Sequence, residues 1–103
     1  MINRNYIRSR PFRLRPRGFV KNMLLAIDVG NTQTVMGVYE GEVLAHMWRV
    51  ATNKQHTSDE LRVKLAPLLL SEGIATQHLE GVALASVVPQ LTQAWCAAVE
   101  RMT

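Results

Sequence analysis

The sequence predicts an α/β fold: a mixed sheet opened by three antiparallel strands and extended by an α-β-α alternation, with helices on the faces of the sheet. Three observations predict it. Met23–Asp28, Thr34–Tyr39 and Glu42–Val50 are strand-like runs in quick succession, the last two joined by the turn signal Glu40-Gly41. Thr57 to Glu60 reads as a helix start ahead of a leucine stripe. Gly81–Val88 is short and almost wholly apolar, as suits a strand covered on both faces in a parallel arrangement, and Pro89 opens a second helix after it.

Each element has its own justification. Met23–Ile27 is an uninterrupted apolar run that ends in an acid, Asp28. In the second strand Val35, Gly37 and Tyr39 alternate with Thr34, Met36 and Val38, so neither face is polar and cover on both is expected. Gly37 in mid-strand points to the close approach of a backbone or ligand. Thr52–His56 is a polar loop. Thr57 is placed to accept from the Glu60 N–H while Glu60 reaches back to Thr57, and Asp59 and Glu60 suit the positive end of a helix dipole. The helix is predicted over Ser58–Glu72, with Leu61, Leu65, Leu68 and Leu69 on one face and Gly73 as its stop. Pro67 conflicts with it: inside a helix proline removes one backbone bond and costs about 3 kcal/mol, so a kink or break is expected there. The second helix is predicted from about Gln90 to Met102, with Leu91, Ala94, Trp95, Ala98 and Met102 as its stripe.

The first 22 residues are of a different kind. Arg4, Arg8, Arg10, Arg13, Arg15, Arg17 and Lys21 occur there with no acid, whereas Met23–Thr103 has five Lys or Arg against eight Asp or Glu. The formal charge of +4 therefore describes the extension and not the body. Such a segment suits a nucleic-acid or membrane-surface arm, a targeting peptide, or an extension read from an early start codon. Pro11, Pro16, Gly18 and the lack of a helical apolar stripe speak against an amphipathic transit or membrane helix. Met23 lies where the first strand begins, which favours Met23 as the natural start and a disordered extension over residues 1–22. Residues 23–103 are the body, one domain or less. No run approaches the roughly 20 apolar residues that span a bilayer. The single cysteine, Cys96, can form no internal disulfide and has no metal-ligand spacing, so a cytoplasmic location is the default and helix packing its role.

The segment with the most chemistry is Asp28-Val29-Gly30-Asn31-Thr32. An acid at the end of a buried strand can hold Mg²⁺ or a water. The chain then turns through Gly30 and Asn31, residues that tolerate positive φ, and successive N–H groups in such a turn can converge on an anion, with the Thr32 and Thr34 hydroxyls as further donors. The plainer alternative is a tight hairpin whose Asp caps the turn. Position favours the chemical reading, because ligands of open α/β sheets gather at the carboxyl ends of strands.

The order β-β-β-α-β-α is the opening of a ribonuclease H-like domain. The run Met23–Thr32, Thr34-Val35 with Gly37, Thr57 with Asp59-Glu60, and Ser86-Val87-Val88-Pro89 together resemble the N-terminal portion of type III pantothenate kinase, a family of the acetate and sugar kinase, heat-shock chaperone and actin superfamily. The resemblance covers nearly all of Met23–Thr103. It implies a ribonuclease H-like (actin-like ATPase) half-domain and ATP-dependent phosphorylation of pantothenate to 4′-phosphopantothenate, the first step of coenzyme A biosynthesis. It also implies Asp28, Val29, Gly30, Asn31, Thr32, Gln33, Thr34 and Val35 as the ATP-phosphate loop, with Asp28 holding Mg²⁺ through water. A monovalent cation, K⁺ or NH₄⁺, and a homodimer belong to the same implication. Gln33 stands where asparagine is common and Gln90 where a second proline is common. The G-x-D-R segment that carries the family's general base would lie beyond Thr103, so no catalytic residue is expected within this chain, and turnover by it alone is not expected.

Other candidates are weaker. His46, His56 and His78 have no ligand spacing, though His56 precedes the Thr57 cap in a loop that could face the cleft. Trp48 and Trp95 suit core or interface, and the absence of a stacking array of aromatics speaks against nucleic-acid binding. Arg49, at the end of the third strand, suits a phosphate contact or, more simply, a solvated edge position, and Lys54 suits the surface. Two further readings stand beside the kinase: a non-catalytic accessory transcription factor of the same family, and an inert fragment. In the last case Gly81–Val88 would be a bare sheet edge and an aggregation hazard.

Overall fold

The computed structural model describes residues 3–7 and 23–102, the former as backbone. Eight elements follow in order: β1 (Asn3–Ile7), β2 (Met23–Val29), β3 (Gln33–Glu40), β4 (Val43–Ala51), α1 (Ser58–Ser71), a single 3₁₀ turn (Thr76–His78), β5 (Leu79–Ser86) and α2 (Pro89–Met102). The expected β-β-β-α-β-α order is the run from β2 to α2. The strands form one mixed sheet in the order β1-β5-β2-β3-β4, in which β2 pairs antiparallel with β3 and parallel with β5.

β1 departs from the sequence reading. Asn3–Ile7, within the extension read as disordered, is a strand, and it pairs along the β5 edge that the inert-fragment reading would leave bare, with Asn3 opposite Ser86 through to Ile7 opposite Val82. The physical reason is the edge itself: an apolar strand with unpaired N–H and C=O groups recruits any extended chain within reach, and Asn3–Ile7 contains no proline or glycine to prevent it. The rest of residues 1–22 lies outside the described residues.

The hairpin between β3 and β4 turns through Gly41 and Glu42, with Gly41 at φ 63°. A positive φ at the first central residue matches the right-handed strand twist, as in type II′ hairpins. At Gly37 the close approach is by a side chain, since a Cβ there would stand 2.9 Å from Leu44 Cδ1.

α1 begins at the capping box read from the sequence: the Glu60 N–H donates to Thr57 Oγ1 at 3.2 Å and the Thr57 N–H to Glu60 Oε1 at 2.8 Å. It stops where Gly73 takes φ 72° and donates its N–H to the Leu70 carbonyl. The break expected at Pro67 is absent, and the helix runs through it from Ser58 to Ser71. Pro67 and Val63, whose carbonyl loses its helical partner, both lie on the exposed face, where water can take the missing donor's place.

Both helices lie on one face of the sheet. Leu25, Ile27 and Val29 of β2, Met36 and Val38 of β3, and Val82 and Leu84 of β5 meet Leu61, Leu65 and Leu69 of α1 and Leu91, Trp95, Ala98 and Val99 of α2 in one core. Full burial of each Val, Leu, Ile or Met side chain among them is worth about 1.5–3 kcal/mol. The opposite face carries Ala26, Gly37, Ala83 and Ala85 with Tyr39, Leu44 and Met47, and it forms an open depression of about 610 Å³ that reaches Asp28 at one end.

Candidate functional site

Alternation along β2 decides where Asp28 points. With Leu25, Ile27 and Val29 turned toward the helices, Asp28 faces the open side, exposed, with Val35 of β3 and Ala85 of β5 as its register partners. The chain then turns through Gly30, Asn31 and Thr32 into Gln33, and the Gly30 N–H closes the turn on the Gln33 carbonyl at 2.9 Å. Gly30 is required here for a reason other than the one expected. Among the described residues only Gly41 and Gly73 have positive φ, whereas a Cβ on Gly30 would stand 2.9 Å from the Gln33 carbonyl oxygen. Close approach, and not handedness, fixes the glycine.

Of the residues nominated from the sequence, Asn31, Thr32 and Gln33 form an exposed rim with Asp28, and Gly30 is half-buried behind them. Val29 is fully buried beneath the rim, Thr34 is only 3% exposed, and Val35 sits half-buried beside Asp28 on the open face. The rim offers Asn31 and Thr32 side-chain donors beside one carboxylate. Gln33 also accepts from Arg49 Nη1 at 3.1 Å, so a guanidinium stands at the edge of the same face.

Two residues given no role at the site from the sequence hold this loop from below. Thr52, just past β4, donates its N–H to the Thr32 carbonyl and its hydroxyl to the Gly30 carbonyl, both at 2.9 Å, and its Oγ1 lies 2.8 Å from Thr34 Oγ1. A threonine hydroxyl has one proton, and that of Thr52 goes to Gly30, so Thr34 is the donor in the Thr34–Thr52 bond. Thr34 is thereby committed inward. Ser86, at 1% exposure, accepts the Val88 N–H at 3.0 Å and shapes the turn into α2, where the Val87 N–H reaches the Val29 carbonyl at 3.0 Å. The Ser-x-Val-Pro pattern ahead of a helix was the available signal for Ser86. No local signal marks Thr52, because its partners are 18 and 22 residues away.

The remaining candidates are elsewhere or structural. His46 stacks on Trp48 with ring centroids 6.1 Å apart and lies 3.5 Å from Glu72, which ties β4 to the end of α1. His56 lines a small cavity beneath the loop with Thr34, Thr52, Lys64 and Trp95. His78 belongs to the 3₁₀ turn, with the Ala75 N–H donating to its Nδ1 at 3.4 Å. Lys54 is exposed in the loop after β4. Burial, reinforced by Glu100, raises the Cys96 thiol and keeps it from being a ready nucleophile. Among the described residues no three His, Cys, Asp or Glu groups are placed to hold a metal ion, and no helix is long and apolar enough to cross a membrane.

Known proteins share this arrangement of sequence. The family model for type III pantothenate kinase matches residues 24–103. A type III pantothenate kinase of Syntrophotalea carbinolica is 50% identical over 72 residues, which cover 70% of this chain and 28% of the relative. One from Halalkalibacterium halodurans is 46% identical over 69 residues (67% and 27%), and one from Desulfotalea psychrophila is 45% identical over 80 residues (77% and 30%). The chain thus spans under a third of the length of the curated relatives it matches. The match begins at the first residues of β2, includes the whole Asp28–Thr34 loop and runs through α2, and on that evidence the chain belongs to the type III pantothenate kinase family.

Proposed function

We propose that this chain supplies the nucleotide-phosphate wall of a site that phosphorylates pantothenate to 4′-phosphopantothenate at the expense of ATP, the first step of coenzyme A biosynthesis. The observation that carries the reading is the exposed rim of Asp28, Asn31, Thr32 and Gln33 at the carboxyl end of β2, within the segment matched by the family. Phosphoryl transfer asks mainly for positioning and for charge stabilisation on the transferred group, and fixed donors beside a carboxylate serve both.

A single exposed carboxylate is a fitting donor for Mg²⁺, which keeps most of its waters and takes one or two carboxylates together with substrate phosphates. Asp28 would hold it through water, and the ion would neutralise charge on the phosphates. Asn31 and Thr32 orient the phosphate oxygens, and Gly30 lets the loop close without a side chain between it and Gln33. The monovalent cation and the homodimer are carried over from the family resemblance, as is a general base contributed from beyond residue 103, and the cytoplasmic location rests on the single cysteine.

The test is a chimera in which residues 23–103 replace the matched segment of the Syntrophotalea carbinolica relative. ATP- and pantothenate-dependent ADP release is expected, falling by at least 100-fold in the Asp28→Asn form. A folded chimera without activity, beside an active parent, contradicts the reading.

A further inference from the structure

We infer that Thr52 is the positioning residue of the phosphate loop: its hydroxyl sets which way the Gly30–Asn31 peptide faces, and so aims a backbone donor at the ligand. This rests on the proposed phosphate reading for its purpose, though the geometry stands without it.

A peptide unit is planar and trans, so its C=O and N–H point in opposite directions. The Gly30 carbonyl is drawn inward by the Thr52 hydroxyl at 2.9 Å, which turns the Asn31 N–H outward to the exposed rim. The neighbouring peptide is fixed in the same manner. The Val29 carbonyl is held by the Val87 N–H, and the Gly30 N–H on its other side is spent on the Gln33 carbonyl. Gly30 therefore offers no donor to a ligand, and the outward N–H of Asn31 is the first one the loop presents.

Thr52 reaches the loop at three points. Its N–H takes the Thr32 carbonyl, its hydroxyl takes the Gly30 carbonyl, and its oxygen receives the Thr34 hydroxyl, itself buried. Replacing the hydroxyl by a methyl group of the same shape leaves the backbone contact in place. It strands two polar groups, the Gly30 carbonyl and the Thr34 hydroxyl, in a part-buried position where an unmet hydrogen bond is costly. The Gly30 carbonyl is then free to rotate toward water, which carries the Asn31 N–H inward and away from the rim and, because that peptide lies inside the turn that the Gly30 N–H closes on Gln33, loosens that bond. A serine keeps the hydroxyl and loses only the methyl.

The experiment compares the full 103-residue chain with its Thr52→Val and Thr52→Ser forms by amide hydrogen exchange, thermal melting and MgATP titration. In Thr52→Val, exchange at Gly30 should quicken at least tenfold relative to core amides such as Leu25 and Val38. MgATP should bind at least tenfold more weakly, and Thr52→Ser should restore both to within about threefold. Exchange at Gly30 that is unchanged in Thr52→Val, or that rises only in step with Leu25 and Val38, overturns the inference. Failure of the unaltered chain to bind MgATP counts against the phosphate reading instead, while the exchange comparison still decides the role of Thr52. If Thr52→Val does not fold, Thr52→Ser decides: exchange at Gly30 beyond threefold of the unaltered chain overturns the inference, and exchange within it supports it.

Discussion

Val87 donates its backbone N–H to the carbonyl of Val29 at 3.0 Å, so the turn that follows β5 and the loop that follows β2 are one unit. Parallel neighbours end at the same edge of a sheet, and here that bond carries the β2–β5 pairing, which reaches Val29 and Ser86, one residue past the end of β5. Ser86 keeps Val87 in place from within the core, through its bond to the Val88 N–H.

Ser86→Ala should therefore disturb the site without touching its rim. It leaves the buried Val88 N–H without its acceptor, which costs about 1–3 kcal/mol. Urea unfolding should show a lower midpoint with an unchanged slope. A midpoint equal to that of the unaltered chain would show that the hydroxyl is dispensable.

The capping box of α1 gives stability an acid-sensitive component. The hydrogen bond from the Thr57 backbone N–H, then the one from its side chain, holds Glu60 below its ordinary value of 4.5. A depressed carboxylate stabilises the fold above its unfolded value and loses that contribution as pH falls through the folded value. Stability should thus be flat from neutrality to about pH 5 and fall below it as far as Glu60 is concerned. In Glu60→Gln, which leaves Thr57 in place but cannot ionise, this component should vanish. Melting curves of both forms between pH 3 and 7 decide it, and parallel pH profiles would refute the assignment.

Pro67→Ala should stabilise the chain. The helix already runs unbroken through this position, so alanine restores the N–H to the Val63 carbonyl without asking the backbone to move. The gain should be about 1–3 kcal/mol, read as a raised melting temperature and added helical circular dichroism. A lower melting temperature would mean that proline serves α1 through its stiffness or its surface.

Most of the fold was legible because its signals are local. The Thr57–Glu60 box, the Gly73 stop and the Pro89 start each declare themselves within a few residues, and the structure has all three. Pro67 misled because its effect depends on whether water can reach the Val63 carbonyl, a tertiary fact. β1 was missed because an edge strand is specified by the vacancy it fills on β5 as much as by its own sequence. At the site, Asp28, Gly30, Asn31 and Thr32 could be read from their succession. Thr52 could not, since it meets the loop only through the pairing of β3 with β4. Thr34 looked like a ligand donor until burial and a single hydroxyl proton assigned it to Thr52.

Whether the loop after β2 binds nucleotide phosphate, as proposed above, is read most directly by an amide map of the 103-residue chain titrated with MgATP. The largest shifts should fall on Asp28, Asn31, Thr32 and Gln33, and Gly30→Ala, whose new Cβ would stand 2.9 Å from the Gln33 carbonyl, should weaken binding at least tenfold. Saturable shifts confined to other surfaces, or none at millimolar MgATP in a folded chain, would contradict it.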